Sequence, residues 1–213
     1  SGLPYVTGTA PIHTAAKPGK INTPILCTSW DEAVEKLGFS YDWKKYTLCE
    51  FIYSHFQLYG CQPVVFCNVL DPAKMKQDTE AKEYTVADHK ITLPFDAVES
   101  TVKLTAGEDA ALEADEDYTL YYDNVKDICV VELLETGGYY DATSITAAYS
   151  TVQPDEVVVA DIVEGIGHVD DCMTVVGKIP DTICAPGWSH NTVVAAVMAT
   201  KAAGIMGLFH GKA

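Results

Sequence analysis

Hydrophobic positions in the first seventy residues fall into short apolar blocks alternating with segments of helical period. Residues 24–27 form one such block, of strand length. Ser29-Trp30-Asp31-Glu32 then places a hydroxyl ahead of a helix and a carboxylate three residues on, the capping-box pattern that satisfies free backbone N–H groups. Trp30, Ala33, Val34 and Leu37 recur at i, i+3, i+4 and i+7, and Gly38 is placed to end the helix in the left-handed conformation. Thr47-Leu48-Cys49-Glu50 reads as a second box, followed by Phe51, Ile52, His55, Phe56 and Tyr59 on one broad face and Gly60 as the stop. Residues 63–70 are almost continuously apolar. A strand without alternation is covered on both faces, as in a parallel sheet under helices.

After Asp71-Pro72 the pattern changes. Residues 74–83 read as a polar, charged connector, and beyond it only strands are predicted, at 90–95, 101–105, 118–122, 128–134 and 144–149, with Asp123-Asn124 and Gly137-Gly138 among the turns. From Pro154 the helical pattern returns. Asp155 is placed to cap a helix over 156–163, residues 182–185 form a short strand, Asn191 caps an alanine-rich helix running to Ala203, Gly204 stops it, and 205–209 read as a further strand. The order α/β, all-β, α/β predicts a discontinuous α/β core domain, residues 1–83 with 153–213, interrupted by a small all-β domain, residues 84–152, of β-sandwich or β-barrel-like form (α+β overall). Neither flank is long enough for a core of its own.

Composition sharpens this picture. Of 213 residues 48% are hydrophobic, room for one large core and a smaller module. All 14 basic residues are lysine, against 30 acidic ones, for a net charge of −16. Without arginine, the planar bidentate partner of phosphates and guanine edges, so acidic a chain argues against a nucleic-acid partner. Residues 84–152 hold 14 acidic residues and 3 lysines, so −11 of the −16 lies there. The 7 cysteines are irregularly spaced with no C-x-x-C pair, and most have apolar neighbours, which reads as buried, reduced thiols. No apolar run approaches the roughly 20 residues of a membrane helix, and the first residues lack the features of a signal peptide, so the sequence reads as soluble with no membrane partner.

Candidate chemistry is sparse. Ser189-His190 sets a hydroxyl beside an imidazole at a strand-to-helix turn, but G-x-S-x-G is missing and adjacent residues rarely meet in triad geometry, so Ser189 reads as a cap. Pro18-Gly19-Lys20 resembles the end of a phosphate loop but has Thr14 and Ile21 where the loop needs glycine and a hydroxyl, and reads as a turn. Gly165-Ile166-Gly167 follows a helical pattern and lacks a third glycine. His168, Asp170, Asp171 and Cys172 are four possible ligands within one short stretch, without a second segment to complete a metal shell, and read as a solvated loop. His55 reads as a hydrogen-bonded core histidine. No residue is assigned as catalytic, cofactor-binding or metal-ligating.

The most distinctive segments are Pro4-Tyr5-Val6-Thr7-Gly8-Thr9-Ala10-Pro11, Asn22-Thr23-Pro24-Ile25-Leu26, Tyr46-Thr47-Leu48-Cys49-Glu50-Phe51 and Pro63-Val64-Val65-Phe66-Cys67-Asn68-Val69-Leu70-Asp71-Pro72. Two more are Ile183-Cys184-Ala185-Pro186-Gly187-Trp188-Ser189-His190 and Lys201-Ala202-Ala203-Gly204-Ile205-Met206-Gly207-Leu208-Phe209. Together these resemble the sheath proteins of contractile phage tails and prophage-derived particles. The resemblance covers both α/β flanks, and its most specific element is the A-P-G-W-S-H turn. It implies a structural subunit and not an enzyme, without cofactors. Its partners would be other sheath subunits in homo-oligomeric rings, the tail tube protein and the baseplate, in a virion tail assembled in the bacterial cytoplasm. It implies too that the chain is a fragment lacking the N-terminal arm and the C-terminal domain. Two other readings remain open on the residues alone: a cytosolic α/β hydrolase-like enzyme using Ser189 and His190, or a surface binding module.

Overall fold

The computed structural model describes residues 2–107 and 110–204. It is a mixed α and β structure that divides into two compact units, Ser1–Asp71 with Pro154–Ala213, and Pro72–Gln153. Strands β1 (Pro4–Gly8), β2 (Ile25–Cys27) and β3 (Val64–Asn68) precede the second unit. That unit carries β4 (Lys76–Asp78), β5 (Lys82–Thr85), β6 (Lys90–Pro94), β7 (Lys103–Ala106), β8 (Ala110–Ala111), β9 (Tyr118–Asp123), β10 (Ile128–Leu133), β11 (Ser144–Ala148) and β12 (Ser150–Val152). Strand β13 (Thr182–Cys184) follows. The helices are α1 (Trp30–Leu37), α2 (Thr47–Ile52), α3 (Val159–Gly167), α4 (Cys172–Val176) and α5 (Thr192–Ala202), all in the first unit.

The first unit is built on a sheet of order β13-β1-β3-β2, with β1 parallel to both neighbours and β2 antiparallel to β3. Every residue of β3 is buried, as its unbroken apolar run requires. The central strand β1 was not among the predicted strands, because Pro4, Thr7 and Gly8 break its apolar run, yet Tyr5, Val6 and Thr7 are fully buried. Helix α3 lies on one face. A methyl group on Gly165 would meet Val69 Cγ1 at 2.5 Å and Thr7 Cγ2 at 2.6 Å, and the Tyr5 hydroxyl donates to the Gly165 carbonyl at 2.6 Å. Gly165 is therefore what lets the helix approach the sheet, and the Gly165-Ile166-Gly167 motif belongs to packing. Helix α2 lies on the other face, where a methyl on Gly8 would meet the side chains of Thr47 and Leu48, and Phe66 meets Phe51 edge-on. At the end of β3, Asn68 is fully buried. Its Oδ1 accepts from the Ala10 N–H at 2.9 Å and the Leu70 N–H at 3.1 Å, and its Nδ2 donates to the Leu70 carbonyl at 3.0 Å.

Local signals set some helix ends and not others. Ser29 Oγ accepts from the Glu32 N–H at 3.2 Å, as predicted, while Glu32 reaches one residue further back, to the Thr28 N–H at 2.7 Å. The box at Thr47 does not form. The Thr47 N–H donates to Thr9 Oγ1 at 3.0 Å and the Thr9 N–H donates to Thr47 Oγ1 at 3.2 Å, so Thr9, just after β1, supplies the cap in place of the local sequence. Beyond Ile52 the helix widens into a π-helical turn, Tyr53–Leu58, and Gly60 takes φ +59°. Helix α3 starts at Val159, later than residue 156, because the Asp161 carboxylate accepts from the Val158 N–H at 2.8 Å, and Asp155 lies in the short 3-10 turn Pro154–Glu156 instead of capping. The strand expected at 205–209 lies outside the described residues.

The second unit holds two larger sheets, β6-β10-β9 and β5-β11-β7-β8, antiparallel throughout. They share one core, to which Ile91, Leu93, Cys129 and Val131 come from the first and Leu104, Ile145 and Ala147 from the second. The alternation of buried with exposed residues in β6, and of buried with half-buried ones in β11, is what made these strands legible. Residues 74–83, read as a connector, instead carry β4 and the start of β5. β4 pairs with β12 in the register Lys76↔Val152 and Asp78↔Ser150, and the Gln153 N–H donates to the Met75 carbonyl at 2.8 Å. The incoming and outgoing ends of this unit therefore run side by side. All of β4 is exposed, so a backbone ladder and not an apolar pattern makes it a strand.

Cys27, Cys49, Cys67, Cys129 and Cys172 are buried, and burial pushes each thiol up to about 12. Cys184 is half-buried and Cys61 exposed. Since the thiolate is the reactive form, a disulfide reagent at pH 8 is expected to modify Cys61 within the mixing time and the five buried thiols only on unfolding. Rapid loss of a buried thiol, located by peptide mass mapping, would contradict this packing.

Candidate functional site

The turn after β13 brings the sequence candidates Ser189 and His190 to the carboxyl end of the sheet. The Trp188 and Ser189 N–H groups both donate to the Ala185 carbonyl at 3.0 Å, and Gly187 takes φ +78°, where a methyl would lie 2.8 Å from Thr47 Cγ2. Only glycine combines that backbone with that approach. Ser189 and His190 are both exposed, and among the described residues no hydrogen bond joins their side chains. The helix that follows is capped by Asn191, whose Oδ1 accepts from the Val193 N–H at 2.9 Å and the Val194 N–H at 3.4 Å. Ser189 is thus neither a nucleophile paired with its neighbour nor the cap it was read as. Asn191→Ala is expected to cost about 1 kcal/mol in urea unfolding, whereas Ser189→Ala leaves stability unchanged. Equal effects from the two substitutions would refute this division of roles.

Below that turn lies a cleft of about 500 Å³, walled by Thr9 after β1, by Trp43, Lys44 and Lys45 ahead of α2, and by Trp188 and His190 after β13. Asp155 is the carboxylate in its described lining. Trp43 and Trp188 are half-buried, and Lys44 is exposed. Trp43 also packs on Tyr53, with ring centroids 5.7 Å apart. Trp43, Lys44 and Lys45 belong to none of the sequence motifs that point to chemistry. The signal that could have found them is the run Trp43-Lys44-Lys45, an aromatic beside two cations in an acidic chain without arginine.

The remaining candidates have structural partners. His168–Asp171 is a 3-10 turn leading into α4, not a solvated loop. His168 Nδ1 lies 2.7 Å from Asp171 Oδ2, Asp170 pairs with Lys201 of α5, and the Cys172 thiol is buried. Among the described residues no group of three or more His, Cys, Asp or Glu side chains could hold a metal ion. His55 is half-buried and is not a core residue. It stacks on Phe51 with centroids 3.7 Å apart, its Nδ1 lies 3.3 Å from Ser54 Oγ, burial holds its pKa below the ordinary value, and it faces a second cleft shared with Cys61 and Cys184. The segment Pro18-Gly19-Lys20 docks on the end of α1, where the Gly19 N–H donates to the Lys36 carbonyl at 2.9 Å. No described helix is long and apolar enough to cross a membrane.

No protein-family model matches the sequence, and no curated protein matches it. Among solved structures, the chain is similar to the sheath tail protein Lin1278 from Listeria innocua, with a TM-score of 0.45 and 13% identity over 95% of this chain. The chain spans 44% of the length of that protein.

Proposed function

We propose that the chain is a structural subunit of a contractile phage-type tail sheath, which assembles around a tail tube and contracts to drive the tube through a host envelope. The observation that carries this reading is convergence. The segments whose residues resemble sheath proteins are scattered from Pro4 to Phe209, yet those among the described residues supply β1, β2, α2, β3 and β13, the whole sheet of the first unit and the helix over one of its faces. None of them supplies a strand of the second unit.

In this reading the protein acts by assembly and not by catalysis, and uses no cofactor. Its partners are other sheath subunits, the tail tube protein and the baseplate, and its place is a virion tail put together in the bacterial cytoplasm. Work comes from better packing between subunits once a kinetic barrier is crossed, by rigid-body movement. Residues 84–152, with −11 of the charge, decorate the solvent side of the array, where that charge is hydrated instead of being crowded against like charge. Negative-stain electron microscopy of the complete protein tests the reading, and hollow tubes of stacked rings are expected. A protein that stays monomeric and hydrolyses a model ester, with the activity lost in Ser189→Ala, would overturn it.

A further inference from the structure

We propose that the cleft between the ends of β1 and β13 is a binding site for a small planar anion, a flat ring carrying a phosphate or a carboxylate. This rests on the first unit alone and holds whether or not the protein assembles into a sheath.

Topology supplies the first argument. Strand β1 lies between two parallel neighbours, β3 on one side and β13 on the other. The connection from β1 to β3 runs through α2 on one face of the sheet, and the one from β3 to β13 runs through α3 on the opposite face. The chain therefore moves from β1 to β3 over one face and returns past β1 to β13 over the other, so the strand order reverses beside β1. At such a switch point the loops beyond the carboxyl ends of the strands part and leave a crevice, which is where open α/β sheets bind ligands. Thr9 directly follows β1, and Gly187 and Trp188 follow β13 past a short turn, so the cleft lies at that crevice.

The lining then selects the ligand. Lys44 and Lys45 stand in the described lining with one carboxylate, Asp155, two cationic residues to one acidic in a chain of charge −16. An anion is the complement of that wall. Trp43 and Trp188 add two half-buried indoles, flat apolar surfaces suited to a ring. The Trp43 indole N–H is buried and, among the described residues, has no hydrogen-bond partner. A cavity of about 500 Å³ is the size of pockets that hold small molecules, and too small for a folded segment of a partner. The lysines are ammonium groups without arginine's fork, so recognition is by charge and ring, and phosphate and carboxylate compete for the same place.

Isothermal titration calorimetry on the whole chain tests this with AMP, 4-hydroxybenzoate, adenosine and inorganic phosphate as probes. AMP, 4-hydroxybenzoate or both should bind below about 1 mM, with adenosine and phosphate at least about tenfold weaker, since each lacks one half of the recognition. AMP binding alone identifies a phosphorylated ligand, and 4-hydroxybenzoate alone an aryl carboxylate. Lys44→Ala/Lys45→Ala should weaken the tighter probe at least about tenfold, and Trp188→Ala by a similar factor, with melting curves that match the parent. If the double variant does not fold, Lys44→Ala alone, at an exposed side chain, gives the same comparison with a smaller loss. Absence of binding by both planar anions up to about 1 mM, or affinity unchanged in the lysine variants, overturns the proposal.

Discussion

Replacing Asn68 with leucine is expected to lower the unfolding free energy by about 3–5 kcal/mol, because each orphaned buried polar group costs about 1–3 kcal/mol. The side chain is fully buried and satisfies two backbone donors, at Ala10 and Leu70, and one acceptor, at Leu70. Leucine fills a similar volume but leaves all three groups without a partner and without water. The loss is a large share of an ordinary domain's 5–15 kcal/mol or so. Asn68→Asp should fall between the two, since it keeps the acceptor for both N–H groups and loses the donor. Urea unfolding followed by tryptophan fluorescence reads the difference directly, and a loss under about 1 kcal/mol for the leucine variant would mean that the loop after β3 finds other partners.

The second large effect concerns residues 72–153. Their core residues come from both larger sheets of that unit, and the β4–β12 pair brings the two ends together at Met75 and Gln153. We therefore expect that deleting 72–153 and joining Asp71 to Pro154 with a short Gly/Ser linker leaves a first unit that melts cooperatively, within about 1 kcal/mol of its stability in the whole chain, because closing a short gap costs little entropy. The deleted stretch has 17 acidic residues and 6 lysines, a net −11, so the remainder carries −16 − (−11) = −5 and should elute far earlier from an anion exchanger. The excised stretch should show a β-type circular dichroism spectrum and its own thermal transition. A molten first unit together with an unfolded excised stretch would mean one shared core and would end the inserted-domain reading.

How far the sequence revealed this molecule depended on where each element's stabilisation comes from. Strand β3 was legible because burial on both faces forces an unbroken apolar run, and α1 because Ser29 and its first turn carry their own cap. Strands β6, β10 and β11 showed in their apolar positions. Strand β1 was missed although it is central, since its burial is set by neighbours far along the chain and its own residues include Pro4, Thr7 and Gly8. For the same reason the cap of α2 was misassigned, the hydroxyl that receives the Thr47 N–H being that of Thr9. Strands β4 and β5 are largely exposed and hold by backbone pairing, which leaves almost no trace in hydropathy. The cleft was the least legible feature. Trp43 and Trp188 are far apart in sequence; the Thr9–Thr47 hydrogen bonds seat the start of α2 at the end of β1, and the parallel pairing of β1 with β13 brings the Trp188 turn beside it. The Ser189-His190 pair, visible as neighbouring letters, lacks the mutual contact that would give it chemistry.

The adjacent ends of the 72–153 unit also determine how force would run through the chain. A load carried along the backbone of the first unit reaches Asp71 and Pro154, and enters the second unit through β4 and β12 at the same end of one two-stranded ladder. Strands pulled apart from one end peel, breaking their hydrogen bonds one pair at a time, whereas strands pulled from opposite ends must shear all of them at once. The β4–β12 ladder is loaded in the weaker way. It would open ahead of the two larger sheets beyond it, like a tab that tears before the page. The two larger sheets of the acidic unit are therefore loaded only after that ladder has opened.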